Sequence, residues 1–251
     1  MKPATAARAR WQRQVRTRPY REGETFAVGG EIASAWLEAA RAALPPGGGH
    51  LDLGCGKGRM TFALASRWTG GGWSVGADRD PAALAAARER ARCENLSGAR
   101  FVQMDVEREE YTPFLKGGQP GLITAHLCMG AGIVERAARA LPPGMVFAFC
   151  ALHPDQWKES GRSSAFAMSE GEIERALAGN GLEPFLLRFE KDVIEFPSPS
   201  DALRGYFKNG EAINKWRADG RWDGIRRHFE ESGRSFTARA QVMGAARKVS
   251  P

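Results

Sequence analysis

The residues best suited to chemistry lie between Leu51 and Arg59, where three glycines alternate with other residues in the order Leu-Asp-Leu-Gly-Cys-Gly-Lys-Gly-Arg. The apolar run before the glycines predicts a short strand, and the residues after them predict a helix. Glycine has no Cβ and adopts positive φ, so such a loop can approach a nucleoside-like cofactor closely, while free N–H groups of the helix point back toward it. A dinucleotide site is a related alternative, but its fingerprint requires glycine where this chain has Arg59. The segment therefore predicts a cofactor held mainly by backbone, with contacts from Asp52, Gly54, Cys55, Gly56 and Gly58.

Acidic residues end the next two predicted strands. Asp78 closes Trp-Ser-Val-Gly-Ala-Asp, and Asp105 follows Phe-Val-Gln-Met. A carboxylate at the end of a strand can hold ribose hydroxyls, and strands of this kind would line one edge of a parallel sheet, where doubly wound folds bind ligands. The alternative is that these acids cap helices or turns, which is the better interpretation of Asp80 before Pro81. We predict further cofactor contacts from Asp78, Arg79, Asp105 and Val106.

These motifs, in this order, resemble the class I S-adenosylmethionine-dependent methyltransferases. The glycine segment is similar to the first motif of that family, Asp78 to its ribose acid and Asp105 to its adenine contact. Residues 122–127 fall where the family has its fourth strand beside the transferred methyl group, and residues 139–149 resemble the turn into its fifth strand. The resemblance implies S-adenosylmethionine as the cofactor and a Rossmann-like sheet of seven strands.

Two histidines and an aspartate are the catalytic candidates. His126 stands at the end of the predicted fourth strand, and His153 and Asp155 follow the fifth. A histidine within hydrogen-bond reach of the methyl acceptor could take its proton. The alternative is structural, because His-Pro-Asp is an ordinary turn composition.

The charge of the chain is uneven. The protein has 251 residues and a formal net charge of +7, with seven basic residues and no acid in residues 1–21. The rest carries equal numbers of basic and acidic side chains. A basic arm of this kind could contact RNA, an anionic membrane or an acidic carrier protein, or act as a transit peptide. The plainer interpretation is a solvated N-terminal helix whose Trp11 and Val15 touch the body.

Composition places the chain among soluble proteins. Hydrophobic residues make up 43% of it, and no apolar run reaches the roughly 18 residues of a membrane helix. The four cysteines are far apart, form no metal-binding spacing, and predict buried, reduced thiols in a cytosolic protein without a bound metal. They are Cys55, Cys93, Cys128 and Cys150.

The chain alternates predicted strands and helices from residue 50 onward, after a helix over 31–44. This alternation predicts an α/β fold with a doubly wound, mostly parallel sheet covered by helices on both faces. The predicted strands are 50–54, 73–78, 100–104, 121–127, 145–151, 185–189 (or 185–196) and 235–246. The predicted helices are 57–68, 81–94, 131–141 and one from Ser169 to Gly181.

About thirty residues are inserted before the last strand. Residues 199–232 are predicted to be helical and to form a substrate lid. Their aromatic stripe (Tyr206, Trp216, Trp222 and Phe229) favours a packed core over the wall of an acceptor pocket. The expected domains are a basic arm and N-terminal helix (1–45), a cofactor-binding core (46–196), a lid (197–232) and the final core strand (233–251). This arrangement is similar to the malonyl-acyl carrier protein O-methyltransferases and quinone-pathway methyltransferases.

The resemblance implies a cytosolic methyltransferase that acts on a small-molecule or carrier-linked acceptor, at oxygen. A carboxylate acceptor is already ionised at neutral pH, whereas a phenol would need a base. One alternative is an RNA methyltransferase that uses the arginine arm, although no base-methylation motif follows the fourth strand. Another is a non-catalytic cofactor-binding protein on the same fold.

Overall fold

The computed structural model describes residues 9–26, 34–45, 47–64, 72–115, 118–208, 211–231 and 233–250. Its strands are β1 (Gln12–Pro19), β2 (Gly49–Leu53), β3 (Trp73–Asp78), β4 (Ala99–Gln103), β5 (Pro120–His126), β6 (Val146–Leu152), β7 (Leu182–Glu195) and β8 (Ser235–Lys248). The α-helices in these ranges are α1 (Ser34–Ala43), α2 (Arg59–Ala63), α3 (Pro81–Cys93), α4 (Ala131–Ala140), α5 (Glu170–Gly179), α6 (Glu211–Asp219) and α7 (Arg221–Glu230).

The strands form one sheet in the order β1-β7-β8-β6-β5-β2-β3-β4. Only β8 runs antiparallel to its neighbours, and the other adjacent pairs are parallel. The chain moves outward from β2 to β3 and β4 on one side, and through β5 and β6 on the other. The strand order therefore reverses between β2 and β5, which is where open parallel sheets bind ligands.

Helices cover both faces of the sheet, as predicted. Trp36 and Ala40 of α1 and Met60 of α2 pack against apolar side chains of β5, β6 and β8. Leu84 and Ala87 of α3 join Phe62 of α2 on the same side. The opposite face packs on α4 and α5 and forms the largest apolar core. The doubly wound α/β prediction is confirmed.

The sheet has eight strands rather than the predicted seven, because the basic N-terminal segment forms β1. This strand pairs in parallel with β7 along its whole length, so the prediction of a helix there was wrong. Trp11 does contact the core, and its Nε1 donates to Glu174 at 2.7 Å, but Val15 is 58% exposed. A strand at the edge of a sheet needs no apolar face of its own, since charged side chains remain solvated there.

Two predicted helices are only partly covered by the description. Residues 31–33 of the first predicted helix lie outside the described residues, which continue it from Ser34. Helix α2 begins at Arg59 instead of 57. Residues 65–71, which include the predicted end of that helix at 68, lie outside the described residues, as do residues 1–8 of the basic arm.

The insertion is helical and has an apolar core of its own. A π-helical turn at Asp201–Tyr206 is followed by α6 and α7. Tyr206, Trp216 and Phe229 are buried among aromatic residues, so the core interpretation of the aromatic stripe is confirmed. Phe26 inserts into this cluster, with its ring 4.6 Å from that of Trp216. The insertion is therefore packed against the chain that leads toward α1.

All four cysteines are free. The expectation of four buried thiols holds for Cys55 and Cys150, whereas Cys128 is half-buried and Cys93 is exposed on the outer side of α3. No helix among the described residues is both long and apolar enough to span a bilayer.

Candidate functional site

At the crevice between β2 and β5, the Gly54 backbone lies close to the Cys128 side chain. A Cβ on Gly54, which has a φ of +61°, would lie 2.7 Å from the Cys128 sulfur. The Cys128 thiol donates to the Leu53 carbonyl at 3.0 Å. Leu127, between β5 and Cys128, has a φ of +62°, a conformation that is strained for a residue with a Cβ. Both strands thus turn sharply where the crevice begins.

The other two glycines of the loop differ in what surrounds them. A Cβ on Gly58 would lie 2.6 Å from the Phe62 ring, so this glycine permits close packing at the start of α2. A Cβ on Gly56, at a φ of +52°, would meet no protein atom within 4 Å. The protein itself leaves room beside Gly56, and a side chain there would extend into that open space.

Asp78 connects this loop to β3. Its Oδ2 accepts from the Gly56 N–H at 2.7 Å, and its Oδ1 accepts from the Asp80 N–H at 2.9 Å. A carboxylate offers about four acceptor positions, so two remain for hydroxyl groups of a ligand. Asp80 is the N-cap of α3, as predicted, and accepts from the Ala82 N–H at 2.9 Å.

Asp78 lines a cavity of about 150 Å³ at the carboxyl ends of β2, β3 and β5. Five predicted contact residues, Gly54, Asp78, Arg79, Asp105 and Val106, meet there. Asp105 also shapes its own loop, because its Oδ1 accepts from the Glu107 N–H at 3.0 Å. Apolar atoms of the wall beside carboxylates suit a flat aromatic ring linked to a sugar. The remaining lining residues are Met104, Glu107, Cys128 and Phe166.

Asp52 and Cys55, also predicted as cofactor contacts, lie behind the loop. The Asp52 carboxylate is buried and accepts from the Thr61 N–H at 2.9 Å, the Thr61 hydroxyl at 2.6 Å and the Thr124 hydroxyl at 2.9 Å. The buried Cys55 side chain packs with Phe62 and Phe101 in the core beside α3, and burial raises the pKa of its thiol. Both residues support the loop from below.

A buried histidine extends the hydrogen bonds of Asp52 across the sheet. His50 Nε2 lies 2.8 Å from the Thr124 hydroxyl, and its Nδ1 lies 2.8 Å from the Ser74 hydroxyl. Burial lowers the pKa of His50 to about 3, so the ring is neutral at physiological pH. The network fixes β2, β3, β5 and the start of α2 relative to one another.

Asp52 should make the stability of the protein depend on pH. Burial raises its pKa from 3.8 to about 6, against the opposing effect of its hydrogen bonds with Thr61 and Thr124. The folded state therefore holds this proton more tightly, and the stabilisation is lost as the pH rises from about 4 to about 6. We expect the unfolding free energy of the wild type, relative to Asp52→Asn, to fall by roughly 2 kcal/mol over that interval, and by about 3 kcal/mol over the complete titration. Urea unfolding of both proteins at several pH values measures this change. If the difference between their unfolding free energies does not vary with pH, the pKa of Asp52 is not raised in the folded state.

The catalytic candidates have different surroundings. The His126 ring lies 5.4 Å from the Trp36 ring, and neither of its nitrogens bonds to a described residue. Burial and then the charge of Arg59 lower the pKa of His126 to about 4, so this imidazole is a neutral potential proton acceptor.

His153 and Asp155 are already engaged. His153 Nε2 lies 3.0 Å from Glu170 Oε2, and its Nδ1 accepts from the Asp155 N–H at 3.1 Å. Asp155 Oδ2 accepts from Lys191 Nζ at 2.6 Å, and this bond lowers the pKa of the carboxyl. Of the two candidate histidines, only His126 has ring nitrogens without a hydrogen-bond partner in the part of the chain that the structure describes.

The arginines of the basic arm are partly neutralised within the protein. Arg13 pairs with Glu170 and lies over the Phe189 ring, and Arg18 pairs with Glu24. Arg10, Arg16 and Arg21 are exposed.

Several residues of the site were missed from the sequence. Thr61 and Thr124 hold Asp52, and the signal that could have found Thr124 is a polar residue inside an otherwise apolar strand. Phe166 reaches the cavity from the segment between β6 and α5, and no local pattern marks it.

Solved structures share this fold. The YcgJ protein of Bacillus subtilis matches with a TM-score of 0.61 and 17% identity, covering 87% of this chain and 100% of that one. A geranyl diphosphate C-methyltransferase from Streptomyces coelicolor, solved with Mg2+, geranyl diphosphate and S-adenosyl-L-homocysteine, matches at 0.55 and 18%, covering 86% and 80%. TrmN from Thermus thermophilus matches at 0.52 and 19%, covering 86% and 47%. At these identities the likeness concerns the fold.

The sequence also matches a protein family. A family profile described as a methyltransferase domain matches residues 46–181, which is more than half of the chain and includes the glycine loop, Asp78 and β5. No curated protein sequence matches.

Proposed function

This chain belongs to the methyltransferase domain family, and on that premise we propose that it transfers the methyl group of S-adenosylmethionine to an oxygen atom of a small-molecule or carrier-linked acceptor. The open space beside Gly56, next to the Asp78 carboxylate, is the observation that carries the cofactor part of the proposal. The oxygen acceptor is inferred from the likeness of the inserted segment and last strand to small-molecule methyltransferases. The ribose hydroxyls of an adenosyl group can donate hydrogen bonds to the carboxylate. The loop backbone beside the adenosyl group has to be free of side chains for close contact.

The residues of the cavity fit this cofactor. Asp78 keeps acceptor positions for ribose hydroxyls, while Met104, Val106 and Phe166 offer an apolar wall for the adenine ring. The cofactor supplies a methyl group on a positively charged sulfur. The protein has to align the acceptor with that group and exclude water, because methyl transfer is an in-line displacement.

A hydroxyl acceptor also has to lose a proton. His126 is the candidate proton acceptor because its nitrogens have no partner among the described residues, although its lowered pKa makes it a weaker base than an ordinary histidine. A carboxylate acceptor would need no base at neutral pH.

Methyl-labelled S-adenosylmethionine tests the proposal directly. The purified chain is incubated with carboxylic acids, phenols, carrier-linked acyl groups and RNA, and S-adenosylhomocysteine binding is measured in parallel by calorimetry. We expect label in the small-molecule or carrier-linked fraction. Label in RNA alone would favour an RNA methyltransferase that uses the basic arm. Normal S-adenosylhomocysteine binding without any methylated product would favour a non-catalytic cofactor-binding protein.

His126→Gln separates catalysis from cofactor binding. With a hydroxyl acceptor, we expect turnover to fall at least about tenfold, because the proton acceptor is lost, while the affinity for S-adenosylhomocysteine stays unchanged. His153→Gln is the matched control and should keep turnover within about threefold, since His153 is bonded to Glu170. If His153→Gln instead shows the larger loss of turnover, the role assigned to His126 is wrong.

A further inference from the structure

A second cavity lies next to the cofactor cavity, at the same edge of the sheet. Its volume is about 480 Å³, which lies within the usual range of small-molecule sites. The segments that follow β5 and β6 form it, together with α5. Its lining residues are Met129, Gly130, Ala131, Ala165, Ala167, Met168, Glu172, Arg175 and Ala176.

Adjacent residues of two segments, the one after β5 and the one after β6, line different cavities. Cys128 lines the smaller cavity and Met129 the larger one. Phe166 lines the smaller cavity, and its neighbours Ala165 and Ala167 line the larger one. A molecule in the larger cavity therefore lies next to the cofactor cavity, with Cys128 and Phe166 between the two.

The side chains of the larger cavity are chemically simple. Seven of the nine lining residues are methionine, alanine or glycine and offer no charged group. Met side chains adapt to irregular apolar shapes. The cavity is thus suited to an aliphatic or aromatic body rather than to a sugar or a nucleotide.

The two charged lining residues are not equivalent. Glu172 is engaged in the capping box of α5, where its Oε2 accepts from the Ser169 N–H at 2.8 Å and the Ser169 hydroxyl at 2.6 Å. Arg175 is exposed and forms no hydrogen bond or ion pair with any residue in the described ranges, and its charge is one of the causes that lower the pKa of the Glu172 carboxyl. A guanidinium group matches a carboxylate with two parallel hydrogen bonds.

The N-terminus of α4, which adjoins the cavity, also favours an anion. Gly130, the N-cap of α4, lines the cavity and provides no side-chain cap, and the first turn of α4 has no acidic residue. The positive end of this helix favours an anion nearby. It adds to the charge of Arg175 and defines no site by itself.

We propose that this cavity is the acceptor site and that the acceptor is an apolar carboxylic acid whose carboxylate is bound by Arg175. The assignment of this cavity as the acceptor site rests on the proposed function. The carboxylate at Arg175 anchors the molecule, and its other end points toward the wall formed by Cys128 and Phe166.

Octanoate and 1-octanol are suitable probes, because they share an apolar chain and differ in charge. Binding to the full chain is measured by calorimetry with S-adenosylhomocysteine present. We expect octanoate to bind about tenfold more tightly than 1-octanol, and Arg175→Gln to remove that preference. Arg92→Gln, an exposed arginine on α3, is the control that should leave it unchanged.

A second variant tests the location of the site. Ala131 is exposed on the first turn of α4, so Ala131→Trp should fill the cavity without disturbing the core, which thermal unfolding checks. We expect octanoate binding to be lost and S-adenosylhomocysteine binding to be kept. Equal affinity for the two probes, or octanoate binding that survives both variants, overturns the proposal. If the wild type does not bind S-adenosylhomocysteine at all, the proposed function is overturned instead.

Discussion

The Gly56→Ala variant should fold and yet bind S-adenosylhomocysteine at least about 100-fold more weakly than the wild type. A Cβ at this position meets no protein atom within 4 Å, so the apoprotein accommodates it sterically. The positive φ of +52° adds about 1–2 kcal/mol of backbone strain. The same Cβ projects into the space that we assign to the adenosyl group, which cannot retreat without leaving Asp78. Calorimetry measures the affinity, and thermal unfolding reports the strain.

Gly144→Ala is the matched control for this variant. Gly144 also has a positive φ, of +84°, and a Cβ there also meets no atom within 4 Å. It lies in the turn before β6, at the opposite edge of the sheet from the crevice. We expect a similar loss of stability with unchanged S-adenosylhomocysteine affinity. If Gly56→Ala binds as well as Gly144→Ala does, the cofactor does not lie against this loop.

The sequence predicted the backbone of the site better than the side chains around it. Alternating glycines between an apolar strand and a helix have few structural solutions, and an acid at the end of the next strand falls at the same sheet edge. Gly54 and Asp78 therefore line the cavity as expected. Asp52 belongs to the same motif, but its carboxylate faces the interior, because side chains alternate along β2 and its neighbours Leu51 and Leu53 occupy the opposite face.

Contacts between distant segments could not be predicted in this way. The pairing of Asp52 with Thr124 joins residues 72 positions apart, and the wall provided by Phe166 depends on how the chain returns from β6 to α5. The plainer interpretation of the basic segment was a solvated N-terminal helix, whereas pairing with β7 decides its structure. Local propensity is a weak guide for an edge strand that gains its backbone hydrogen bonds from a partner far along the chain.

Asp78→Ala should weaken S-adenosylhomocysteine binding by about 100-fold. The carboxylate has two roles, since it accepts from the Gly56 and Asp80 N–H groups in the protein and offers its remaining acceptor positions to ribose hydroxyls. Hydrogen bonds to a charged group contribute about 1.5–3 kcal/mol each, and 100-fold corresponds to about 2.7 kcal/mol. Asparagine is no conservative replacement, because its amide nitrogen would face one of the two N–H donors.

Asp80→Ala separates this effect from a general loss of acidic charge at the end of β3. Asp80 caps α3, so its removal should destabilise the fold by about 0.5–2 kcal/mol while S-adenosylhomocysteine affinity stays within about threefold of the wild type. Calorimetry on both variants gives the comparison, and thermal unfolding shows that each remains folded. Equal affinities of Asp78→Ala and the wild type would exclude Asp78 as the ribose ligand. Equal losses in both variants would show that the charge at this strand end matters more than the hydrogen bonds of Asp78, because only Asp78 is bonded to the glycine loop.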